Sequence, residues 1–99
     1  MVALDIDGDV VIRFSRSATR HGIDPDQSRF VVEHCLCPLY SSDPDRVDLI
    51  VFLGPDIRGV PLEDFGVELA DGGLLMIHAM RLRASYRDDY EGVMRCQES

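Results

Sequence analysis

Hydrophobic residues in this chain recur with a period of two or in short unbroken runs, a pattern typical of β-strands. The run VDLIVFLG is rich in branched side chains and is bounded by turn formers, which indicates a buried strand. An Asp7-Gly8 turn signal near the N-terminus indicates either a short hairpin or an irregular lead into the first strand. Four strands are predicted, at residues 9–14, 47–54, 64–70 and 73–80, the last two joined at Asp71-Gly72-Gly73.

Two helices are predicted between the first two strands. The first is short, beginning after Ser15 as its capping residue and ending before Gly22. The second has sharper signals, because Asp24 and Gln27 have capping-box spacing around a proline at the first helical position, and Pro38 stops the helix. Its apolar face is predicted to consist of Phe30, Val31, Cys35 and Leu36.

A last helix is predicted from about Ala84 to Cys96. Its apolar stripe has helical spacing and consists of Tyr86, Tyr90, Val93 and Met94. The predicted order is therefore β-α-α-β-β-β-α. Consecutive antiparallel strands with helices before and after them indicate an α+β fold, in which helices pack on a small antiparallel sheet.

Length and composition favour one domain over residues 1–99, because 99 residues, 45% of them hydrophobic, allow one modest core. No apolar run is long enough to cross a bilayer, and the N-terminus has no signal-peptide pattern, so a cytoplasmic protein is expected. The three cysteines match no common disulfide framework. Free thiols in a reducing compartment are the simpler interpretation.

No cofactor or metal is expected. His34 and Cys35 are adjacent on a predicted helix and point about 100° apart, and no second Cys/His pair at zinc spacing follows them. The segment LGPDIRG has no phosphate-loop or dinucleotide fingerprint and is interpreted as a turn.

Charge is distributed unevenly along the chain. The formal net charge of −8 argues against binding nucleic acid or anionic membrane over the whole surface. However, residues 10–23 and 72–87 contain no Asp or Glu, and they hold six of the ten arginines and two of the three histidines. These two windows form one electropositive patch if the fold brings them together; otherwise the asymmetry is chance.

Several segments in the same order resemble one protein family. The RHGI at residues 20–23 followed by a capped helix, CPLYSSD, the turn GPDIRG, the hairpin into LLMIHAMRLR, and the last helix with Tyr90 are similar to BrnT-type toxins of the RelE-like ribonuclease superfamily. The resemblance covers about residues 12–92. It implies the toxin of a type II toxin-antitoxin system, a metal-free endoribonuclease that cleaves RNA and inhibits translation, and it leaves open whether cleavage takes place on the ribosome. It also implies a small antitoxin partner of the ribbon-helix-helix type.

Such cleavage needs a proton acceptor, a proton donor and fixed positive charge at the phosphate. Histidine suits the proton transfers near neutral pH, and the planar arginine side chain suits phosphate. On this scheme the predicted catalytic residues are His78 as acid or base, with Arg58, Arg81 and Arg83 on phosphate. The predicted substrate-binding residues are Arg16, Arg20, His21 and Tyr86.

Structural roles compete with these assignments. Strand alternation places His78 on one face with Met76 and Met80, which favours a core histidine, and the spacing of Tyr86 favours a core tyrosine. The chain also has Met80 where the family usually has arginine, and a second family arginine is replaced near Leu74 or Leu75. The loss of each such contact removes about 2.7 to 4 kcal/mol of stabilisation if it acts as an oxyanion donor. A catalytically inactive toxin fold that acts as a protein-binding module is therefore the alternative.

Overall fold

A computed structural model describes residues 10–41, 43–46 and 48–98; the predicted hairpin at residue 7 and the beginning of the first strand lie outside this part. The strands are β1 (Ile12–Phe14), β2 (Leu39–Tyr40), β3 (Leu49–Pro55), β4 (Pro61–Glu68) and β5 (Leu74–Arg81). The α-helices are α1 (Pro25–His34) and α2 (Arg87–Glu98), and single 3₁₀ turns occupy Arg16–Thr19 and Ala84–Tyr86.

The α+β class is confirmed, but the predicted order of elements is not matched. The first predicted helix is one 3₁₀ turn, because only four residues follow Ser15 before the chain turns toward Gly22, which has a φ of 77°. A two-residue strand, β2, also precedes β3. The observed order is therefore β-α-β-β-β-β-α if the 3₁₀ turns are set aside.

The five strands form one mixed sheet in the order β1-β5-β4-β3-β2. Strands β2 to β5 are antiparallel neighbours, whereas β1 runs parallel to β5, with Ile12 opposite Leu74. The expectation of a purely antiparallel sheet is thus wrong for β1. The chain leaves β1, forms α1 and three strands, and returns beside β1, so the pair is joined by a long crossover as parallel strands require.

The capping signals of α1 act as predicted. A side-chain oxygen of Asp24 accepts a hydrogen bond from the Asp26 backbone N–H at 2.8 Å, and Gln27 Oε1 accepts one from the Asp24 N–H at 2.9 Å. The predicted apolar face is partly wrong, because Leu36 lies beyond the helix and is 75% exposed. The helix instead buries Ser28, Val31 and Val32.

The helices cover the sheet from two sides. Side chains alternate between the two faces along β4, so Asp64 and Phe65 point in opposite directions. Ser28 of α1 contacts Asp64 on one face, and Tyr86 contacts Phe65 on the other. Helix α2 follows directly after Tyr86 and buries Val93 in the core. The odd-numbered face of β4 is therefore the one reached by the segment that leads into α2.

A bulge in β5 corrects the predicted surroundings of His78. Gly66 pairs with Met76, but its neighbour Phe65 pairs with His78, so β5 has one extra residue, Ile77, at this point. Adjacent residues of β4 point to opposite faces, and therefore so do Met76 and His78. Met76 is fully buried in the core, and His78 lies on the other face of the sheet, which it still shares with Met80, the partner of Glu63.

A disulfide joins the ends of the two helices. Cys37 follows α1 and is bonded to Cys96 in α2, with 6.5 Å between their Cα atoms; Cys35 is a free, buried thiol. The expectation of three free thiols is wrong for this pair, because the spacing of cysteines in the chain contains no information on which helix ends meet. In the part of the chain that the structure describes, no helix is long and apolar enough to span a membrane.

Alanine substitutions at two glycines, Gly66 and Gly92, should change the free energy of unfolding in opposite directions. A Cβ at Gly66 would lie 2.8 Å from Met76 Sδ, so we expect Gly66→Ala to cost about 1 to 3 kcal/mol through overpacking. A Cβ at Gly92, inside α2, meets nothing closer than 3.9 Å, so Gly92→Ala should stabilise by about 0.5 to 1 kcal/mol. Urea midpoints of the two variants measure both effects. A Gly66→Ala protein as stable as the parent would contradict the close approach.

Candidate active site

The two acid-free windows lie side by side in the fold. Strand β1 is hydrogen-bonded along β5, and the Ser15 N–H donates to the Met76 carbonyl at 2.9 Å. Beyond the end of β1, Ser17 Oγ donates to the Ile77 carbonyl at 2.6 Å. The ring centroids of His21 and His78 are then 5.6 Å apart in an edge-to-face contact. Side chains distant in sequence are thereby gathered along the outer edge of β5.

Three of the predicted site residues line one cavity of about 290 Å³. His21 enters it from the loop before α1, Arg58 from the β3–β4 turn, and Arg81 from the last position of β5. The cavity, which we call the cationic cavity, is completed by Gly22, Ile23, Gln27, Asp56, Val60 and Leu62. His78 is not among its lining residues, but its ring contacts that of His21.

Asp56 fixes the turn that presents Arg58. Its Oδ1 accepts the backbone N–H groups of Arg58 at 2.8 Å and Val60 at 2.9 Å, and its Oδ2 accepts Gln27 Nε2–H at 2.9 Å. The hydrogen bond from Gln27, followed by that from Val60, holds the pKa of Asp56 below its ordinary value. This carboxylate is therefore ionised; it accepts three hydrogen bonds from neutral donors, and the charge of Arg58 also contributes to its lowered pKa.

The two cavity arginines remain available for a ligand. Within the described part of the chain, neither Arg58 nor Arg81 forms an ion pair. The cavity thus combines two unpaired guanidinium groups and one imidazole with the ionised Asp56. Planar arginine side chains bind phosphoryl and carboxylate groups through two hydrogen bonds at once.

Glu63 anchors a second cluster beside the cavity. Its side chain is 0% exposed, and its Oε2 accepts Arg83 Nη2–H at 2.6 Å, Arg83 Nε–H at 2.9 Å and His78 Nε2–H at 3.1 Å. Its Oε1 accepts the Arg83 backbone N–H at 2.9 Å. An ionised carboxylate can only accept hydrogen bonds, so His78 must donate to Glu63 from a protonated Nε2. In the neutral imidazole, Nδ1 is then unprotonated and can act as a base.

Burial and hydrogen bonding set the ionisation of this cluster. Burial acts to raise the pKa of Glu63, but the hydrogen bonds from Arg83 and His78 outweigh it, and the pKa lies below its ordinary value. Burial lowers the pKa of His78 despite the nearby carboxylate. His78 is therefore neutral at pH 7, the state in which imidazole accepts a proton.

Arg83 is only partly free to bind phosphate. Two of its side-chain N–H groups are directed at Glu63, although the side chain is 47% exposed. The guanidinium carbon also lies 5.7 Å from the centroid of the Tyr86 ring. Tyr86 is half-buried and packs on Phe65, so its ring is part of the wall of the cluster.

Arg16 and Arg20 lie apart from the cavity lining. Arg16 begins the first 3₁₀ turn and Arg20 follows it, and both are exposed. Arg13, from the same window, is paired with Asp71 at 3.7 Å. The acid-free window is therefore adjacent to acids supplied by other segments, and of its basic side chains His21 lines the cavity, together with Gly22 and Ile23.

Sequence reasoning missed Glu63 and Asp56. The strand predicted from residue 64 leaves Glu63 just outside it, and the interpretation of LGPDIRG as a turn assigns no role to Asp56. The signal for Glu63 is two adjacent acids within the apolar segment VPLEDFGV, one of which must face the core whichever way the strand is oriented. Nothing in the sequence indicates that the glutamate meets an arginine twenty residues later.

Across residues 10–41, 43–46 and 48–98, no group of three or more His, Cys, Asp or Glu side chains is arranged to hold a metal ion. Comparison of the chain with protein-family models, with curated proteins and with solved structures finds no match.

Proposed function

We propose that this chain is an endoribonuclease that cleaves RNA without a metal ion and acts as the toxin of a type II toxin-antitoxin pair. The supporting observation is the convergence of His21, Arg58 and Arg81 on one cavity, with the His78 imidazole in contact with His21. The resemblance of the sequence to BrnT-type toxins supports the same function. It also leads us to propose a small ribbon-helix-helix antitoxin as partner.

The chemistry requires two proton-transfer groups and one cation site. The ribose 2′-hydroxyl gives its proton to a base, the O2′–P bond forms, the P–O5′ bond breaks, and the O5′ leaves with a proton from an acid. His78 and His21 supply the two imidazoles, with Glu63 holding His78 in the required tautomer. Arg58 and Arg81 stabilise the charge that develops on the phosphoryl oxygens.

The position of Met80 shows where the family arginine is missing. Met80 pairs with Glu63 on the face of the sheet that carries His78, and it does not line the cationic cavity. Leu74, near the second replaced position, is fully buried. Arg58 and Arg81 provide the phosphate contacts in this proposal.

Cytoplasmic location is part of the proposal, since the ribosome and messenger RNA are there. Thiol-reducing systems in that compartment would open the Cys37–Cys96 disulfide. Activity should therefore be measured with and without a reductant.

A protein-binding module without catalysis is the second candidate. It is favoured by two side chains, Leu36 and Ile57, that are 75% and 76% exposed, and by the engagement of Arg83 with Glu63. Such a module would dock a partner through these apolar side chains and the acidic surface.

RNA cleavage by the purified chain distinguishes the two candidates. We expect products with 2′,3′-cyclic phosphate and 5′-hydroxyl ends, formed with or without ribosomes and in the presence of a chelator. His78→Ala, His21→Ala and Arg81→Ala should each lower the rate about 100-fold, the lower end for loss of an acid or base. Arg95→Ala, on the exposed surface of α2, is the matched control and should leave the rate unchanged.

The cellular experiment uses the same variants. Expression of the parent and of Arg95→Ala should arrest growth, and expression of the three site variants should not. Arg83→Ala is unsuitable here because it also removes the partner of buried Glu63. RNA left intact by folded protein, together with normal growth, would reject the nuclease and favour the binding module.

A further inference from the structure

A second, larger recess adjoins the cationic cavity. It has a volume of about 560 Å³ and lies between the start of β4, the segment after β5 and helix α2. Val60 and Arg81 line both spaces, so the two are neighbours that share these side chains. We call the larger one the α2 groove.

The α2 groove has an apolar wall suited to a flat ring. Val60, Pro61, Leu82 and the Tyr90 ring line it. Tyr90 and Leu82 also pack against the hydrophobic core, which holds them in place. Apolar and aromatic walls of this size accommodate small organic ligands, and aromatic side chains stack on nucleobases of any sequence.

Charges at the groove favour a neutral group in its interior. Arg81 lies where the groove meets the cationic cavity, and Arg87 and Glu91 lie one helical turn apart on α2. The Glu91 carboxylate opposes a phosphate in the groove itself, whereas the cationic cavity holds two unpaired arginines. A ligand with an anionic part and a flat, uncharged part therefore binds in one orientation. Its anionic part lies in the cationic cavity beside Arg81, and its flat part lies in the α2 groove.

We infer that the α2 groove binds the base of the RNA nucleotide whose phosphate occupies the cationic cavity, with the base stacked on Tyr90. The inference rests on the proposed function and names the substrate contact that function requires. Arg87 and Glu91 supply a donor and an acceptor to the edge of the base. Because stacking is tolerant of sequence, the groove sets affinity for nucleotides more than preference among bases.

Binding of non-cleavable ligands tests the inference on the full chain. The probes are inorganic phosphate, deoxyribose 3′,5′-bisphosphate without a base, and a deoxynucleoside 3′,5′-bisphosphate; both sugars lack the attacking 2′-hydroxyl. The nucleotide should bind about tenfold more tightly than the bisphosphate without a base, as expected for one stacked base. Tyr90→Leu should remove most of that advantage and Arg87→Gln should reduce it, and both should leave the affinity for phosphate unchanged, while Arg95→Gln should change neither.

The outcomes separate the groove from the nuclease. A nucleotide that binds no better than the bisphosphate without a base, or an advantage that survives unchanged in both groove variants, overturns the inference even where RNA is cleaved. A tenfold advantage that is reduced in Arg87→Gln supports the groove even where no RNA is cleaved, and then only the nuclease fails. Absence of binding by both phosphate and bisphosphate overturns both. Arg87 is exposed, so its variant tests the groove even if Tyr90→Leu does not fold.

Discussion

Replacing Arg83 with methionine is expected to lower the free energy of unfolding by about 2 to 3 kcal/mol, whereas the same change at Arg81 should have little effect. Both arginines lie at the end of β5 and are exposed, but only Arg83 has a fully buried partner, Glu63. Methionine at residue 83 would leave a buried carboxylate without its cation. The expected cost is below that of a wholly buried pair because the Arg83 side chain is 47% exposed, and because the residue-83 amide and His78 still donate to Glu63.

Urea denaturation of the two methionine variants at several pH values measures the difference. The folded-state pKa of Glu63 is below its ordinary value, so the stability it contributes is present at neutral pH and is lost as the pH falls through that lowered pKa. The deficit of Arg83→Met should therefore be largest near pH 7 and shrink in acid. Equal stability of the Arg83→Met and Arg81→Met proteins at pH 7 would show that Glu63 does not depend on this cation.

Local signals in the sequence predicted the elements that depend on nearby residues. The start of α1 follows from Asp24 and Gln27, whose side chains accept N–H groups at the beginning of the helix, and from Pro25, which has no N–H to satisfy. The run at β3 is apolar enough to require burial wherever it is placed. Both were predicted to within a few residues.

Features that depend on distant partners were not predictable in the same way. The bulge at Ile77 arises from the pairing of β4 with β5. It places Met76 and His78 on opposite faces of the sheet, whereas simple alternation predicts that they share one face. The parallel pairing of β1 and the bond between Cys37 and Cys96 likewise depend on the path of the chain between them. The sequence contains no local signal for any of these.

The candidate site also has a part that the sequence predicts and a part that depends on distant partners. Histidine and arginine were identified as the residue types suited to phosphate chemistry, and His21, Arg58 and Arg81 do line one cavity. Glu63 was missed, since a carboxylate in a strand becomes informative only when its cation is known. That pairing changes the interpretation of Arg83 from a free phosphate contact to a residue that also neutralises a buried charge.

Asp64 is a buried acid with incomplete hydrogen bonding. Its side chain is 0% exposed and faces α1, where Ser28 Oγ donates to Oδ1 at 3.3 Å, and its Oδ2 has no hydrogen-bond partner among the described residues. Burial, with a contribution from the charge of Glu63, raises the pKa of Asp64 to about 8. The side chain is therefore a neutral carboxylic acid in the folded protein at pH 7.

Asp64→Asn is consequently expected to reverse its effect on stability with pH. The unfolded chain releases the Asp64 proton near pH 3.8 and the folded chain only near 8, so stability from this group is full below about pH 4 and declines up to pH 8. The decline is worth up to about 5 kcal/mol, at about 1.4 kcal/mol per pH unit. Asparagine does not ionise, so the variant should be more stable than the parent at pH 8. At pH 4 it should be less stable by about 1 kcal/mol, because its buried N–H groups lack acceptors.

Free energies of unfolding of the parent and the variant between pH 4 and 8 test this crossing, and Asp56→Asn is the matched control of opposite sign. The pKa of Asp56 is lowered by hydrogen bonds to Gln27 and to backbone N–H groups, so the contribution of its carboxylate is present at neutral pH and lost in acid. Asp56→Asn should therefore lose most stability near pH 7 and approach the parent in acid. His78, whose pKa is lowered, is common to the parent and both variants, whereas Glu63 interacts with the charge of Asp64, so the curve of Asp64→Asn includes the response of Glu63. Parallel curves for the parent and Asp64→Asn would mean that Asp64 is already ionised in the fold at neutral pH.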